Sequence, residues 1–250
     1  MRILAFADIH GNVAALDAVL ADRHHHGPYD LIICVGDLVW AGPRPREVMA
    51  RLRELCDDDP TGGSAAVCVQ GNTDIFLLGG FRERPPIDKR HKRFMRHREW
   101  MLDQLKPADL TFLRQMPFSY RTGPGSGREL LAVHANPHNL NDPIYPDMAN
   151  QAIDQVIGPP DFDLLVFGHI HIPFVRHWRG SLLANVSAVG LPRDGDPRAA
   201  YSVLTWDGVR WGVAQHRVAY NVEAVADDMQ ACGMPRGKHF ARRLLAAKYD

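Results

Sequence analysis

Short apolar runs of strand length recur along the chain, and five of them end in a polar residue that is able to bind a metal ion. Amphipathic helix patterns separate the early runs, at residues 13–23 and 45–55. The order strand, helix, strand, helix, strand is typical of an α/β fold. The five runs span residues 3–7, 31–35, 65–69, 130–133 and 164–167.

The second half of the chain is richer in paired strands. Two pairs of strand-like segments each flank a dipeptide that ends in glycine, which predicts two β-hairpins. Residues 221–250 have the pattern of closing C-terminal helices, and we expect one domain over residues 1–250. The predicted hairpin strands are 173–178 with 181–186 and 201–206 with 209–218, and the helix patterns are 221–229 and 235–249.

Composition narrows the class of protein. Lys and Arg total 29, as do Asp and Glu, and 46% of the residues are hydrophobic, which excludes a disordered, collagen-like or coiled-coil chain. A formal net charge of zero argues against a dedicated nucleic-acid coat or a membrane-surface protein. The four cysteines lack the paired spacing of a disulfide framework or a zinc ribbon. Because no apolar stretch approaches membrane-spanning length, we expect a cytoplasmic protein with no membrane partner, and composition sets no oligomeric state.

The polar residues that end the five runs form a candidate metal site. Side chains two apart on a strand point to the same face, so Asp8 with His10, and His169 with His171, can each address one point. In open α/β sheets such residues collect beyond the carboxyl ends of the strands. With three further residues they give seven oxygen and nitrogen donors, which suit two divalent ions of Mn, Fe, Zn, Co or Ni completed by water. The three further donors are Asp37, Asn72 and His134.

These motifs resemble the five-block signature of the calcineurin-like metallophosphoesterases. Two further segments, 39–43 and 190–201, are similar to the small prokaryotic phosphodiesterase-like branch of that superfamily. The resemblance implies an α/β metallophosphoesterase fold, in which two packed mixed β-sheets are flanked by helices as a four-layer α/β/β/α sandwich. The motifs are Asp8-Ile9-His10-Gly11-Asn12, Gly36-Asp37, Gly71-Asn72-Thr73-Asp74, His134 and Gly168-His169-Ile170-His171.

The resemblance also implies roles for the seven donors. Asp37 would bridge two divalent metal ions, and a hydroxide shared by the ions would attack the phosphorus of a small phosphate ester. Asp37, Asn72 and His134 would thus be catalytic in a dinuclear, for example manganese-dependent, hydrolase of phosphodiesters or activated phosphate esters. The first ion would be held by Asp8, His10, Asp37 and His171, and the second by Asp37, Asn72, His134 and His169.

One position departs from the family pattern. Many members carry His directly after the third-block Asn, where it is thought to protonate the leaving group or hold the phosphate, but this chain has Thr73. General acid catalysis is typically worth about 100 to 10,000-fold, so alkyl leaving groups are expected to react slowly. Asp74 and His138 are candidates for the missing role, Asp74 by holding a histidine or the Thr73 hydroxyl. Candidate substrate-binding residues are Thr73, Arg193 and Arg198.

Two other functions are compatible with the sequence. A non-catalytic scaffold of the same fold is one, although scaffolds in this superfamily tend to lose ligands and this chain keeps all seven. The other is a nuclease that holds a strand on segment 82–98, which carries eight Lys and Arg against two Asp and Glu. A solvated helix face is the favoured interpretation of that segment, because Phe94, Met101 and Leu105 share a helical stripe. Nucleic acid is therefore not the favoured partner.

Overall fold

The computed structural model describes residues 1–57, 65–79, 89–125 and 128–248. These residues contain two five-stranded mixed β-sheets. The first sheet has the spatial order β10-β9-β1-β2-β3, in which β1, β2 and β3 are parallel and β9 runs antiparallel to β1 and β10. Its strands are β1 (Arg2–Phe6), β2 (Leu31–Cys34), β3 (Ala65–Cys68), β9 (Ala199–Trp206) and β10 (Trp211–Val218).

The second sheet has the spatial order β4-β5-β6-β8-β7. Its three central strands β5, β6 and β8 are parallel, and an antiparallel strand borders them on each side. In each sheet, the carboxyl ends of the three parallel strands therefore lie at the same edge. The strands are β4 (Ser119–Thr122), β5 (Leu130–Val133), β6 (Leu164–Phe167), β7 (Phe174–Trp178) and β8 (Ser181–Asn185).

Helices cover the outer faces of the two sheets. A large cluster of buried apolar side chains joins the first sheet to most of the helices, and a smaller one joins the second sheet to α6. No helix in the described part of the chain combines the length and apolar character needed to cross a membrane. The helices are α1 (Val13–Asp22), α2 (Pro45–Cys56), α3 (Asn72–Leu77), α4 (Lys89–Gln104), α5 (Pro107–Gln115), α6 (Asn150–Ile157), α7 (Val222–Ala231) and α8 (Gly237–Ala246).

A third apolar cluster lies between the sheets, and the two-residue period of the strands explains it. In β1, Ile3 and Ala5 pack against the second sheet while Leu4 and Phe6 pack against the helices. The inner faces of β5 and β6 contribute side chains such as Leu130 to the same cluster. Because β1 is buried on both faces, its sequence is continuously apolar rather than alternating. The layer order is helices, sheet, sheet, helices, which confirms the predicted fold class.

The predicted strands and hairpins are present, and none of their ends is shifted by more than two residues. The patterns did not predict β4, α3, α5 and α6. The sequence of β4, Ser-Tyr-Arg-Thr, lacks a clear apolar alternation because the strand lies at the edge of its sheet. The closing helix predicted over 235–249 is shorter, since Ala247 adopts a left-handed backbone (φ 47°) and ends α8, and residues 249 and 250 lie outside the described chain.

Candidate active site

The candidate ligands lie where neighbouring strands of both sheets end. The two sheets meet at this edge through the side chain of Asp8, whose Oδ2 accepts a hydrogen bond of 2.8 Å from the backbone N–H of His169. Five candidate ligands adopt left-handed backbone conformations, which non-glycine residues rarely do and which functional sites often contain. Their φ angles are 54° for Asp8, 49° for His10, 56° for Asp37, 69° for His169 and 60° for His171.

A first group of ligand atoms comprises Asp8, His10 and His171, all buried. The Nε2 atoms of the two histidines lie 3.1 Å apart, and Nε2 of His171 lies 3.2 Å from Oδ1 of Asp8. That Oδ1 is buried and has no hydrogen-bond partner. Each histidine donates its Nδ1–H to a backbone carbonyl, namely Trp40 for His10 (2.7 Å) and Leu191 for His171 (2.5 Å).

A second group forms around His134. Its Nε2 lies 2.9 Å from Oδ1 of Asn72 and 3.2 Å from Nδ1 of His169. His134 donates Nδ1–H to the carbonyl of Val35 (2.8 Å), and His169 donates Nε2–H to the carbonyl of Asn141 (3.0 Å). The ring nitrogens that face each other are therefore the unprotonated ones.

Asp37 lies between the two groups. Its Oδ2 is 3.7 Å from Nε2 of His10, and its Oδ1 is 3.5 Å from Nε2 of His134. Oδ1 also accepts a hydrogen bond of 2.9 Å from the backbone N–H of Thr73. The carboxylate thus reaches one histidine of each group, as a bridging ligand requires.

The chemistry of this donor set fits a divalent metal centre. A carbonyl oxygen only accepts hydrogen bonds, so each histidine holds its proton on the carbonyl side and presents a lone pair to the site. Four such lone pairs converge on two carboxylates and one amide oxygen, where they repel one another unless a cation lies between them. Histidines oriented by backbone carbonyls and combined with carboxylates are typical of Mn, Fe, Zn, Co and Ni sites.

Burial sets the charge state of these groups. Burial and the neighbouring carboxylate of Asp8 raise the pKa of Asp37 to about 7, and burial also raises the pKa of Asp8. Burial lowers the pKa of each of the four histidines, and for His10 the charge of His171 adds to the effect. The histidines are therefore neutral near pH 7, which is the protonation state that binds a metal.

Two glycines allow the carboxylates to approach the neighbouring backbone. A Cβ at Gly168 would lie 2.4 Å from Oδ2 of Asp8, and a Cβ at Gly71 would lie 2.2 Å from Oδ1 of Asp37. Both distances are shorter than any real contact of a Cβ atom, so a side chain at either position would displace a candidate ligand. These glycines belong to the motifs Gly71-Asn72 and Gly168-His169 of the sequence.

Asp74 accepts hydrogen bonds from the backbone beneath the candidate ligands, and none of its hydrogen bonds within the described residues involves a histidine. Its Oδ2 accepts the backbone N–H groups of Asp37 (2.9 Å) and Gly71 (3.0 Å), and its Oδ1 accepts that of Leu38 (3.0 Å). The prediction that Asp74 holds a histidine or the Thr73 hydroxyl is corrected accordingly. Asp74 instead fixes the two loops that carry Asp37 and Asn72, since backbone donors occupy both of its oxygens.

A cavity of about 220 Å³ opens above the ligands. Two of the predicted substrate-binding residues, Thr73 and Arg193, line it. Burial and the nearby Arg243 lower the pKa of Arg193 to about 9, so its side chain stays cationic at neutral pH. The other walls are aromatic and basic, and include Trp40, Phe94, His97, Arg236, Phe240 and Arg243.

Two predicted residues lie elsewhere. His138 donates Nε2–H to the carbonyl of Ile157 (2.8 Å) at the end of α6, a local partner within the second sheet's helical layer. Arg198 is exposed and forms a two-pronged ion pair with Asp196, with N–O distances of 3.0 and 2.6 Å. Both assignments are therefore corrected, because each side chain is held by local partners and neither belongs to the described lining of the cavity.

The basic segment 82–98 is described only from residue 89, where α4 begins, and residues 82–88 lie outside the described chain. Within α4, Met101 is fully buried and Phe94 packs against the core, as the helical stripe predicted. His97 is also buried, and its ring lies 4.6 Å from that of Trp40. The sequence patterns did not place His97 or the residues of α8 at the site.

Comparisons with known proteins agree with this geometry. The model of the calcineurin-like phosphoesterase superfamily domain matches residues 1–208. The uncharacterised protein MJ0912 of Methanocaldococcus jannaschii is 29% identical over 238 residues, which cover 88% of each chain. The crystal structure of a metallophosphoesterase from Sphaerobacter thermophilus aligns with a TM-score of 0.76 at 27% identity, covering 99% of both chains. Hypothetical protein PH1004 from Pyrococcus horikoshii OT3 has the same fold, with a TM-score of 0.81 at 17% identity over 100% of this chain and 99% of that one. This chain belongs to the calcineurin-like phosphoesterase superfamily.

Proposed function

We propose that the protein is a dinuclear metal-dependent phosphoesterase that hydrolyses phosphodiesters or activated phosphate esters. The observation that carries this proposal is the convergence of four unprotonated imidazole nitrogens on two carboxylates and an amide oxygen, beneath a cavity lined by arginines. Cations between these donors would relieve the repulsion of their lone pairs, and the cavity above them attracts anions.

The seven residues divide between two ions in the way that the geometry suggests. Asp8, His10 and His171 would hold one ion, Asn72, His134 and His169 the other, and Asp37 would contact both. When bound, two divalent ions lower the pKa of a shared water and stabilise charge on the attacking and leaving oxygens of phosphoryl transfer.

The remaining residues of the chain bind and orient the ester. Arg193 stays cationic and faces the same cavity as the ligands, where it can hold a nonbridging phosphate oxygen. Thr73 supplies no acidic proton at neutral pH, so the leaving group has to depart without one. The expected substrates are therefore esters whose leaving groups are weakly basic.

The test is hydrolysis of bis(4-nitrophenyl) phosphate and 4-nitrophenyl phosphate by protein stripped with a chelator and refilled with Mn²⁺. Turnover of the diester should depend on the metal and be lost in Asp37→Asn. Arg198→Gln is the matched control, because Arg198 is exposed and lies outside the described lining of the cavity. Absence of turnover with two ions bound would support the scaffold alternative. Cleavage of single-stranded DNA in place of the small ester would support the nuclease alternative.

A further inference from the structure

The four candidate histidines differ in the carbonyl groups that orient them. Three of these carbonyls belong to buried residues. The carbonyl that orients His169 belongs instead to Asn141, which is exposed and lies in the loop of residues 136–142, after β5. The conformation of this loop therefore decides how His169 is turned toward the site. The three buried residues are Val35, Trp40 and Leu191.

The 136–142 loop is built around the side chain of Asn136. This side chain is fully buried, whereas Asp142 is exposed. Its Oδ1 accepts the backbone N–H groups of His138 (2.8 Å) and Asn139 (2.9 Å), and its Nδ2 donates to the carbonyl of Asp142 (2.8 Å). One buried amide thus joins the two ends of the loop.

Asn139 fixes the part of the loop that reaches His169. Its Oδ1 accepts the backbone N–H groups of Asn141 (2.9 Å) and Asp142 (2.8 Å). The N–H of Asp142 and the carbonyl of Asn141 belong to one planar trans peptide unit, so they point in opposite directions. Because Asn139 holds the N–H, the carbonyl is directed to the other side, where Nε2 of His169 lies 3.0 Å away.

The Asn141 carbonyl sets which nitrogen of His169 is available to a metal ion. It keeps the ring proton on Nε2, so that Nδ1 carries the lone pair and faces Nε2 of His134 at 3.2 Å. Hydrogen-bond partners of this kind fix the ring orientation and the basicity of a metal ligand. His10 and His171 take part in none of the loop hydrogen bonds described above. The loop therefore acts on the second group of ligands.

We infer that Asn139 is a positioning residue for the second metal ion, because it directs the Asn141 carbonyl that holds His169 in its ligand form. This inference rests on the proposed function, since it takes His169 as a ligand. It implies that the two ions are held unequally. Buried carbonyls orient the histidines of the first ion, whereas an exposed loop orients His169, so the affinity for the second ion can change separately.

The test is equilibrium dialysis of chelator-stripped protein against Mn²⁺. In Asn139→Ala, the affinity for one ion should fall by about 10- to 100-fold, and the affinity for the other should stay unchanged. Asn139→Ser keeps a hydroxyl that accepts the same N–H groups more weakly, so its affinity should lie between those of Asn139→Ala and the parent. Asn221→Ala is the matched control, because it removes an asparagine that accepts the N–H of Ala224 at the start of α7. It should leave both affinities unchanged.

A spectroscopic measurement shows whether Asn139 acts through His169. In Zn²⁺-loaded protein with ¹⁵N-labelled histidine, His169 should carry its proton on Nε2, whereas the other three ligands carry theirs on Nδ1. The signals are distinguishable for that reason. In Asn139→Ala, the Nε2–H of His169 should exchange with solvent about 10-fold faster, as expected for the loss of one hydrogen bond. The Nδ1–H groups of the other three histidines should exchange at the parent rate.

The outcomes separate this inference from the proposed function. If the parent binds two ions and Asn139→Ala binds both with unchanged affinity, the inference is overturned and the dinuclear phosphoesterase stands. Equal weakening of both ions, or equal acceleration of all four N–H groups, would also overturn it, because the substitution would then act on the whole fold. A parent that binds no divalent ion would refute the proposed function, and the inference with it.

Discussion

His10 and His171 face each other through their Nε2 atoms, which lie 3.1 Å apart. Each ring carries its proton on Nδ1, on the opposite side, where it donates a hydrogen bond to a backbone carbonyl. Two lone pairs at this distance repel, and the buried Oδ1 of Asp8, 3.2 Å from Nε2 of His171, has no hydrogen-bond partner. The contact is stabilised when a cation lies between the three atoms. We therefore expect metal binding and folding stability to be linked in this protein.

Metal removal should lower thermal stability. A ligand that binds only the native state at 100 times its Kd stabilises it by about 2.7 kcal/mol. We expect Mn²⁺ to raise the Tm of chelator-stripped protein by several degrees. His171→Ala should lose at least half of this shift, whereas His177→Ala, on the exposed face of β7, should keep it. A Tm that does not respond to any divalent ion would contradict the linkage.

Asp37 should oppose stability in the metal-free protein. Its pKa is raised from 3.8 to about 7 by burial and by Asp8. Below pH 3.8 the carboxyl is protonated in both states. Between pH 3.8 and about 7 the carboxyl ionises in the unfolded state but stays protonated in the native state, so the free energy of unfolding falls as the pH rises. Asp37→Asn in chelator-stripped protein should then be more stable than the parent at pH 8, by about 4 kcal/mol. The gain should disappear near pH 4.

Urea denaturation of both proteins at pH 4 and pH 8 measures this difference. Equal stabilities at pH 8 would contradict the buried, shifted carboxyl. In the same Asp37→Asn protein, metal-dependent turnover should fall by at least ~100-fold, because loss of a supporting residue alone typically costs a metal site about 10- to 100-fold.

A single methyl group at Gly168 should disrupt the site. Its Cβ would lie 2.4 Å from Oδ2 of Asp8, so Gly168→Ala has to displace the carboxylate. We expect Mn²⁺ affinity to fall by at least ~10-fold, as measured by equilibrium dialysis. Gly212→Ala is the matched control, since the atom nearest to its added Cβ is 3.8 Å away. Unchanged affinity in Gly168→Ala would place the metal away from Asp8.

Restoring an acid at position 73 should broaden the range of leaving groups. In the parent protein, turnover of aryl diesters should fall steeply as the leaving group becomes more basic. Thr73→His should speed diphenyl phosphate hydrolysis by about 10- to 100-fold relative to bis(4-nitrophenyl) phosphate. Thr73→Val, which offers no proton, controls for the altered volume. A parent enzyme that is insensitive to leaving-group basicity would show that another residue already supplies the proton.

The positions of the candidate ligands were predictable from sequence because they depend on local rules. Asp8, Asp37 and His134 each follow a buried strand, and parallel neighbours bring their carboxyl ends to one edge. The period of the strands then sets which side chains share a face. Both hairpins could also be predicted from the sequence, because the paired strands directly flank the turn residues that set their register.

The cavity walls were not predictable in the same way. The pattern for α8 predicts a helix, but the side on which it docks depends on contacts distant in sequence, such as His97 with Pro235. The opposite error occurred with His138 and Arg198. Both are near the site in sequence, yet each is captured by a local partner, Ile157 for one and Asp196 for the other. Sequence proximity to a motif does not decide between such partners.

The most direct test is anomalous diffraction from crystals of the Mn²⁺-loaded protein, collected on both sides of the manganese absorption edge. We expect two manganese peaks roughly 3.5 to 4 Å apart. One should be bound by Asp8, His10 and His171, the other by Asn72, His134 and His169, and Asp37 should contact both. A single peak, or two peaks outside this set of ligands, would contradict the dinuclear site and the mechanism that depends on it.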